Sequence, residues 1–229
     1  MFLFGKQKRK DSSSAKPIFL CQPFLSASLV KGNFKKLVIL PRYLDLNEWL
    51  AANSTFCCFS LKAFEFFNYT NLFYGAISEY CTQKECPMMH AGVQSEYLWI
   101  DSQKRSVKIS APQYADYVMS WIQNLVNDES VFPTKAGKFL QETKDTRTDG
   151  EFPKDFHATV KQIFRQLFRI LAHIYHAHYE KILHMSAEAH LNTLTAHLLA
   201  FVKEFDLIEK RELVPLQDLI DEFEAAQWI

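Results

Sequence analysis

Between positions 156 and 174, apolar residues recur at Phe156, Val160, Ile163, Leu167, Ile170 and Ile174, every third or fourth place. Only an α-helix, at 3.6 residues per turn, gathers that spacing onto one face. A stripe this long needs apolar partners along its whole side, so the chain must bring other helices against it. The sequence supplies them. The pattern predicts one long helix over residues 155–185, then helices over 186–205 and 215–226. Upstream, Ser110-Ala111-Pro112-Gln113 reads as a capping-box start with an early proline, opening a helix that buries Tyr117, Trp121 and Leu125. Phe64, Phe67, Phe73, Tyr74 and Ile77 form another helical face, and the text turns helical from Asp45, which can cap a turn carrying Glu48 ahead of Trp49. The expected fold class is mainly α, a single domain of bundle type over residues 17–229.

Four stretches depart from that period. Residues 17–40 read as short extended pieces around Gly32, and residues 54–63 carry no clean period. Residues 81–111 are a non-helical excursion, in which Glu96-Tyr97-Leu98-Trp99-Ile100 alternates and suggests a hairpin closing near residues 101–104. Residues 138–151 form a polar loop. Its Asp145-x-Arg147-x-Asp149-Gly150 resembles the opening of a calcium loop, but the twelfth position is Phe156 rather than glutamate, so calcium is rejected.

Several function classes drop out on composition. The six glycines lie at least thirteen positions apart, so no dinucleotide fingerprint, P-loop, kinase glycine-rich loop or nucleophile elbow can be written. Basic and acidic residues number 26 each, which argues against nucleic-acid binding by bulk charge. The positive charge is concentrated in residues 1–16, where five basic residues against Asp11 make a tail of net charge +4 that reads as flexible. Five cysteines suit no secreted disulfide framework, and no apolar run reaches signal-peptide or membrane-span length. The expectation is a soluble intracellular protein, with the sequons at Asn53 and Asn68 as chance matches.

Six of the eight histidines (His173, His176, His178, His184, His190 and His197) crowd into 25 residues. Cys81-x4-Cys86, followed by Pro87, places two thiols around a tight turn. Two thiolates and two imidazoles complete a tetrahedral Cys2His2 set, the donor softness that zinc favours. Helical spacing pairs His173 with His176, since His173 and His178 differ by about 140° around an ideal helix. No HExxH occurs, and four protein ligands close the shell, so a metal here reads as structural. A zinc-dependent hydrolase built on the histidine cluster is the alternative.

Taken together, Asp45-Leu-Asn-Glu-Trp49, Phe73-Tyr-Gly75, the turn from Cys81 to Pro87, Glu96-Tyr-Leu-Trp99, Ala172-His-Ile-Tyr-His176, Glu188-Ala-His-Leu-Asn192 and Arg211-Glu-Leu-Val-Pro-Leu216 resemble the Mob family of kinase coactivators. Lys16-Pro-Ile-Phe-Leu20 and Leu29-Val-Lys-Gly-Asn-Phe-Lys35 look like its second fungal subgroup, which partners NDR kinases of polarised growth. The resemblance implies a Mob-type helical bundle with a small zinc-pinned hairpin excursion, no catalysis, and binding to the N-terminal regulatory segment of an NDR/LATS-type kinase. It implies one structural Zn2+ per chain on Cys81, Cys86, His173 and His178, so that local helix distortion or ligands reaching from two sides must bring His178 round. It places Asp45, Glu48 and Trp49 at the kinase interface. In place of the family's three-cation phosphopeptide cluster stand Arg165, Gln166 and Arg169, which implies a weakened phosphate site at Arg165 and Arg169. The implied location is the cytoplasm, with recruitment to the cell cortex or growth sites, and also the nucleus. Two stretches exceed the family pattern and read as insertions, residues 54–63 and 138–150.

Overall fold

The computed structural model describes residues 16–38, 59–93, 95–128, 131 and 156–229. Eight α-helices stand among them: α1 Lys35–Val38, α2 Phe59–Ile77, α3 Ala111–Asn127, α4 Phe156–Ala177, α5 Tyr179–His184, α6 Glu188–Glu204, α7 Lys210–Leu213 and α8 Gln217–Ala225. A two-stranded antiparallel hairpin, β1 Trp99–Ile100 and β2 Ser106–Val107, pairs Trp99 with Val107 and Ile100 with Ser106.

Helix α4 is the axis of the bundle. All six residues of its predicted stripe are buried, together with Phe164, Leu171 and Tyr175, so burial wraps most of its circumference. A fully buried Leu, Ile or Phe contributes about 1.5–3 kcal/mol relative to exposure. Helices α2 and α3 pack on α4, and α6 packs against α2 as well. Where they meet, Phe164 stacks on Phe201 at 5.2 Å, and Phe66 sets its edge to Phe164 at 5.7 Å.

Several expectations need correction. The long helix is not continuous over 155–185: it breaks at His178, whose φ of −132° and ψ of 12° are not helical, and α5 starts afresh at Tyr179. Residues 17–38 are not extended. Ile18–Leu20 and Phe24–Ser26 are 3-10 turns and Lys35–Val38 is α1, because Phe19, Leu20, Leu25, Phe34 and Val38 are buried against the bundle rather than paired in a ladder. On α2 the buried face is Ala63, Phe66, Phe67, Thr70 and Ile77, with Phe64 turned outward. Burial of Thr70 removes the hydroxyl that the Asn68 sequon requires. On α3 the buried face is Tyr114, Ala115, Val118 and Ile122, while Tyr117 is 42% exposed. Ser110 occupies the N-cap, yet its hydroxyl makes no cap bond, and the Gln113 amide donates to the Tyr117 hydroxyl at 2.9 Å instead of reaching back.

The hairpin is where the alternation placed it. Its loop is organised by the Asp101 carboxylate, which accepts from the backbone N–H of Gln103 and Arg105 at 2.8 and 2.9 Å. Residues 59–63 of the aperiodic stretch are the first turn of α2, whereas 54–58, 138–150 and the tail lie outside the described residues.

Candidate metal centre

Cys81 stands one turn past the end of α2, and its N–H still donates to the Ile77 carbonyl at 3.0 Å, so the helix end fixes where the first thiol stands. The next five residues fold back on themselves: the Cys86 N–H donates to the Thr82 carbonyl at 2.8 Å, and the Glu85 N–H to the Thr82 hydroxyl at 3.2 Å. This turn carries the second thiol to the same side as the first. The Cys86 carbonyl then accepts from Ala111 N–H at the start of α3, tying the turn to the bundle.

The imidazoles come from α4 and from its break. Cys81, Cys86, His173 and His178 are all buried, and their four donor atoms lie within 4.8 Å of one another. Cys81 Sγ is 3.4 Å from His173 Nε2, and Cys86 Sγ is 3.4 Å from His178 Nε2. His178 reaches the set because the chain leaves helical geometry at that residue, which supplies the local helix distortion that the spacing demanded. The other ring nitrogen of His173 donates to the His90 carbonyl at 2.7 Å, a bond that fixes the tautomer and aims Nε2 at the thiols.

Burial holds the four donor groups in their neutral forms. Burial, offset in part by the Tyr74 hydroxyl, pushes the Cys81 thiol up to about 12. Burial likewise raises Cys86. Burial lowers His173 to about 4, so both imidazole and thiol are neutral at pH 7. A divalent cation reverses the thiol balance, since coordination favours thiolate, and neutral imidazole is already the ligand form.

The remaining histidines do not gather. The Nε2–H of His176 donates to the Pro215 carbonyl at 2.7 Å, and its ring lies against Gly92, where an added Cβ would meet Nδ1 at 3.1 Å. His184 and His190 are exposed, and His197 sits between Phe34 and Phe66. Sequence reasoning missed His90, and nothing in the sequence could mark it, because the contributing atom is a backbone carbonyl.

Arg165, Gln166 and Arg169 line a cleft of about 590 Å³ beside the hairpin, with Tyr97, Trp99 and Trp121. Arg169 is engaged from three directions. It donates to Glu212 Oε2 at 3.1 and 2.8 Å and to the Tyr114 hydroxyl at 3.1 Å, and it lies 4.8 Å over the Tyr97 ring. Gln166 is buried and accepts from the Tyr114 hydroxyl at 2.5 Å. Asp45, Glu48 and Trp49 lie outside the described residues. Among the described residues, no helix is long and apolar enough to cross a membrane.

Comparison with known proteins agrees with this architecture. The Mob1/phocein family model matches residues 26–216. The CBK1 kinase activator protein MOB2 of Candida albicans is 48% identical over 208 residues, covering 91% of this chain and 60% of the relative. The maintenance of ploidy protein mob2 of Schizosaccharomyces pombe is 45% identical over 214 residues, covering 93% of this chain and 79% of its own length. The CBK1 kinase activator protein MOB2 of Saccharomyces cerevisiae is 44% identical over 219 residues, covering 96% and 69%. The chain thus spans about three fifths of the Candida protein's length. With a helical bundle, a buried Cys2His2 set and a family match over most of its residues, this chain belongs to the Mob1/phocein family.

Proposed function

We propose that this protein is a non-catalytic coactivator that binds the N-terminal regulatory segment of an NDR/LATS-type kinase and promotes its activity in polarised growth and morphogenesis. The observation that carries this reading is the likeness, at 44–48% identity over nine tenths of the chain, to proteins named as activators of the CBK1 kinase. The surface is compatible with a helical partner. Tyr69, Leu72 and Ala76 lie three or four residues apart along α2 and are exposed, an apolar stripe of the kind that receives an amphipathic helix. Asp45, Glu48 and Trp49 precede this helix in sequence, and carboxylates there would steer a basic segment toward the stripe. Cytoplasmic placement, with recruitment to the cortex or growth sites, belongs to the same reading.

The metal is zinc, one per chain, and its role is structural. A tetrahedron with arms of about 2.3 Å to sulfur and about 2.05 Å to nitrogen has sulfur–nitrogen edges of about 3.5 Å. Two of the four sulfur–nitrogen edges, at 3.4 Å each, support that geometry. Four protein donors leave no position for a reactive water, and nothing in the relatives' names favours the hydrolase alternative. At Arg165 and Arg169 the reading is a weakened phosphate site, because the Arg169 fork is already committed to Glu212 and Tyr114.

The test is binding of the protein to an NDR-type kinase N-terminal segment, with kinase activity as a second readout. Glu48→Lys should weaken binding about tenfold or more at low salt while leaving the circular dichroism spectrum unchanged. Unchanged binding by Glu48→Lys would remove that carboxylate from the interface, and no binding by the unmodified protein would sink the proposal.

A further inference from the structure

We propose that the surface formed by Leu29–Lys31 and α1 is a peripheral docking face for an anionic membrane. Leu29, Val30 and Leu37 are 55%, 46% and 63% exposed, and Lys31, Lys35 and Lys36 stand among them, also exposed. Exposed aliphatic side chains ringed by lysines are the composition that enters the headgroup region, where the lysine stems cover apolar surface and the ammonium groups meet phosphate. Among the described residues, none of the three lysines is in an ion pair.

The face is built rather than frayed. The Leu29 N–H donates to the Thr193 hydroxyl on α6 at 3.0 Å, and the Ser28 hydroxyl lies 3.2 Å from the same oxygen. Phe34, just before α1, and Val38 at its end are buried one turn apart, which leaves Lys35, Lys36 and Leu37 to point away from the core. The Phe34 N–H donates to the Trp228 carbonyl at 2.7 Å, holding α1 against the end of α8. Between them runs a groove of about 470 Å³ lined by Lys31, Lys36, Asn33 and Trp228, with no carboxylate in its wall. On α8, Glu222 pairs with Lys16 and Glu224 with Lys203, so these two carboxylates do not offset Lys31, Lys35 and Lys36.

A bilayer fits better than an acidic peptide because the protruding groups are aliphatic and because the first ten residues of the sequence carry a second signal of the same kind. The ion pair of Lys16 with Glu222 anchors the chain one helical turn before Ala226 in the groove wall. The sequence before Lys16 carries Phe2, Leu3 and Phe4 followed by Lys6, Lys8, Arg9 and Lys10. Peripheral attachment needs two weak signals acting together, and each lysine or arginine near an anionic surface adds affinity that salt removes.

Vesicle sedimentation of the full chain tests this proposal independently of any kinase. The expected result is salt-sensitive binding to phosphatidylcholine vesicles containing phosphatidylserine and little binding to phosphatidylcholine alone. Combined Lys31→Glu, Lys35→Glu and Lys36→Glu substitutions should weaken that binding by about a hundredfold. Leu29→Ser with Leu37→Ser should weaken it several-fold, with thermal melting and metal content confirming that each variant is folded. Equal binding to neutral vesicles, or binding to neither, overturns the proposal. So does full binding by the lysine variant when deletion of residues 1–15 abolishes binding, since the tail alone would then be responsible. Capture of a polyglutamate peptide without vesicle binding would hand the face to an acidic protein and equally end the proposal.

Discussion

His173 and His176 stand one turn apart on α4, yet their rings have different obligations. The Nδ1–H of His173 is held by the His90 carbonyl, which frees Nε2 for the thiols, whereas Nε2 of His176 is committed to Pro215. His176→Ala should therefore keep one metal per chain while lowering stability by about 1–2 kcal/mol. Cys81→Ala should abolish stoichiometric metal and cost several kcal/mol, roughly 10 °C in melting temperature for a chain of this size. Cys21→Ala, at a half-buried cysteine away from the set, serves as the control, and elemental analysis with thermal denaturation reads all three. His197 gives a pH signature. Burial first, and Lys62 second, lower it to about 4, with Glu65 opposing. The unfolded chain protonates this group near pH 6.5, so between about 6.5 and 4 the unfolded state binds the extra proton. Stability falls as pH drops through that window, by about 1–2 kcal/mol after solvent screening. His197→Phe, between Phe34 and Phe66, should flatten this part of the denaturation profile.

At the level of elements, α4, α6 and the hairpin were legible in the sequence because their periods of 3.6 and 2 are long enough to assert themselves. The break at His178 was not: no proline or glycine marks it, and a ligand pair drawn from α4's ideal geometry gave His173 with His176. The break brings a second imidazole beside Cys86, a contact between residues 92 apart in sequence. On α2 and α3 the expected faces held in part: Phe67 and Ile77 are buried and Phe73, Tyr74, Trp121 and Leu125 pack on the core, whereas Phe64 and Tyr117, equally aromatic, turn outward. Helix ends were equally silent, for a related reason. Ser186, Asp206 and Gln227 adopt φ of 53°, 48° and 59°, each just past a helix. In each case the next residue's N–H reaches back five positions: Ala187 to Ile182, Leu207 to Val202 and Trp228 to Phe223. These are left-handed terminations built without glycine, which a sequence reader would look for. Ser186→Gly should thus stabilise the fold by about 0.5–1 kcal/mol, measurable as a higher denaturation midpoint.

Across the whole molecule, one guanidinium joins elements that the sequence keeps far apart. Arg169 on α4 meets Tyr97 before the hairpin, Tyr114 on α3 and Glu212 on α7. Arg169→Ala should cost about 2–3 kcal/mol, because it strands a mostly buried carboxylate, and Arg169→Lys should not restore the loss, since an ammonium lacks the fork. A urea titration distinguishes this structural role from a purely phosphate-binding one. The metal set has a similar reach, and its consequence concerns the connectivity of the chain itself. Cys81 and Cys86 lie before residues 132–155, while His173 and His178 lie after them. With a metal bound, the two portions are held by coordination bonds as well as by the polypeptide. Closing a loop of 92 residues corresponds to about 4.6 kcal/mol of chain entropy by analogy with a covalent cross-link. A protein cut once between residues 132 and 155 should therefore migrate as a single species on gel filtration, and chelation should promote its separation into two fragments.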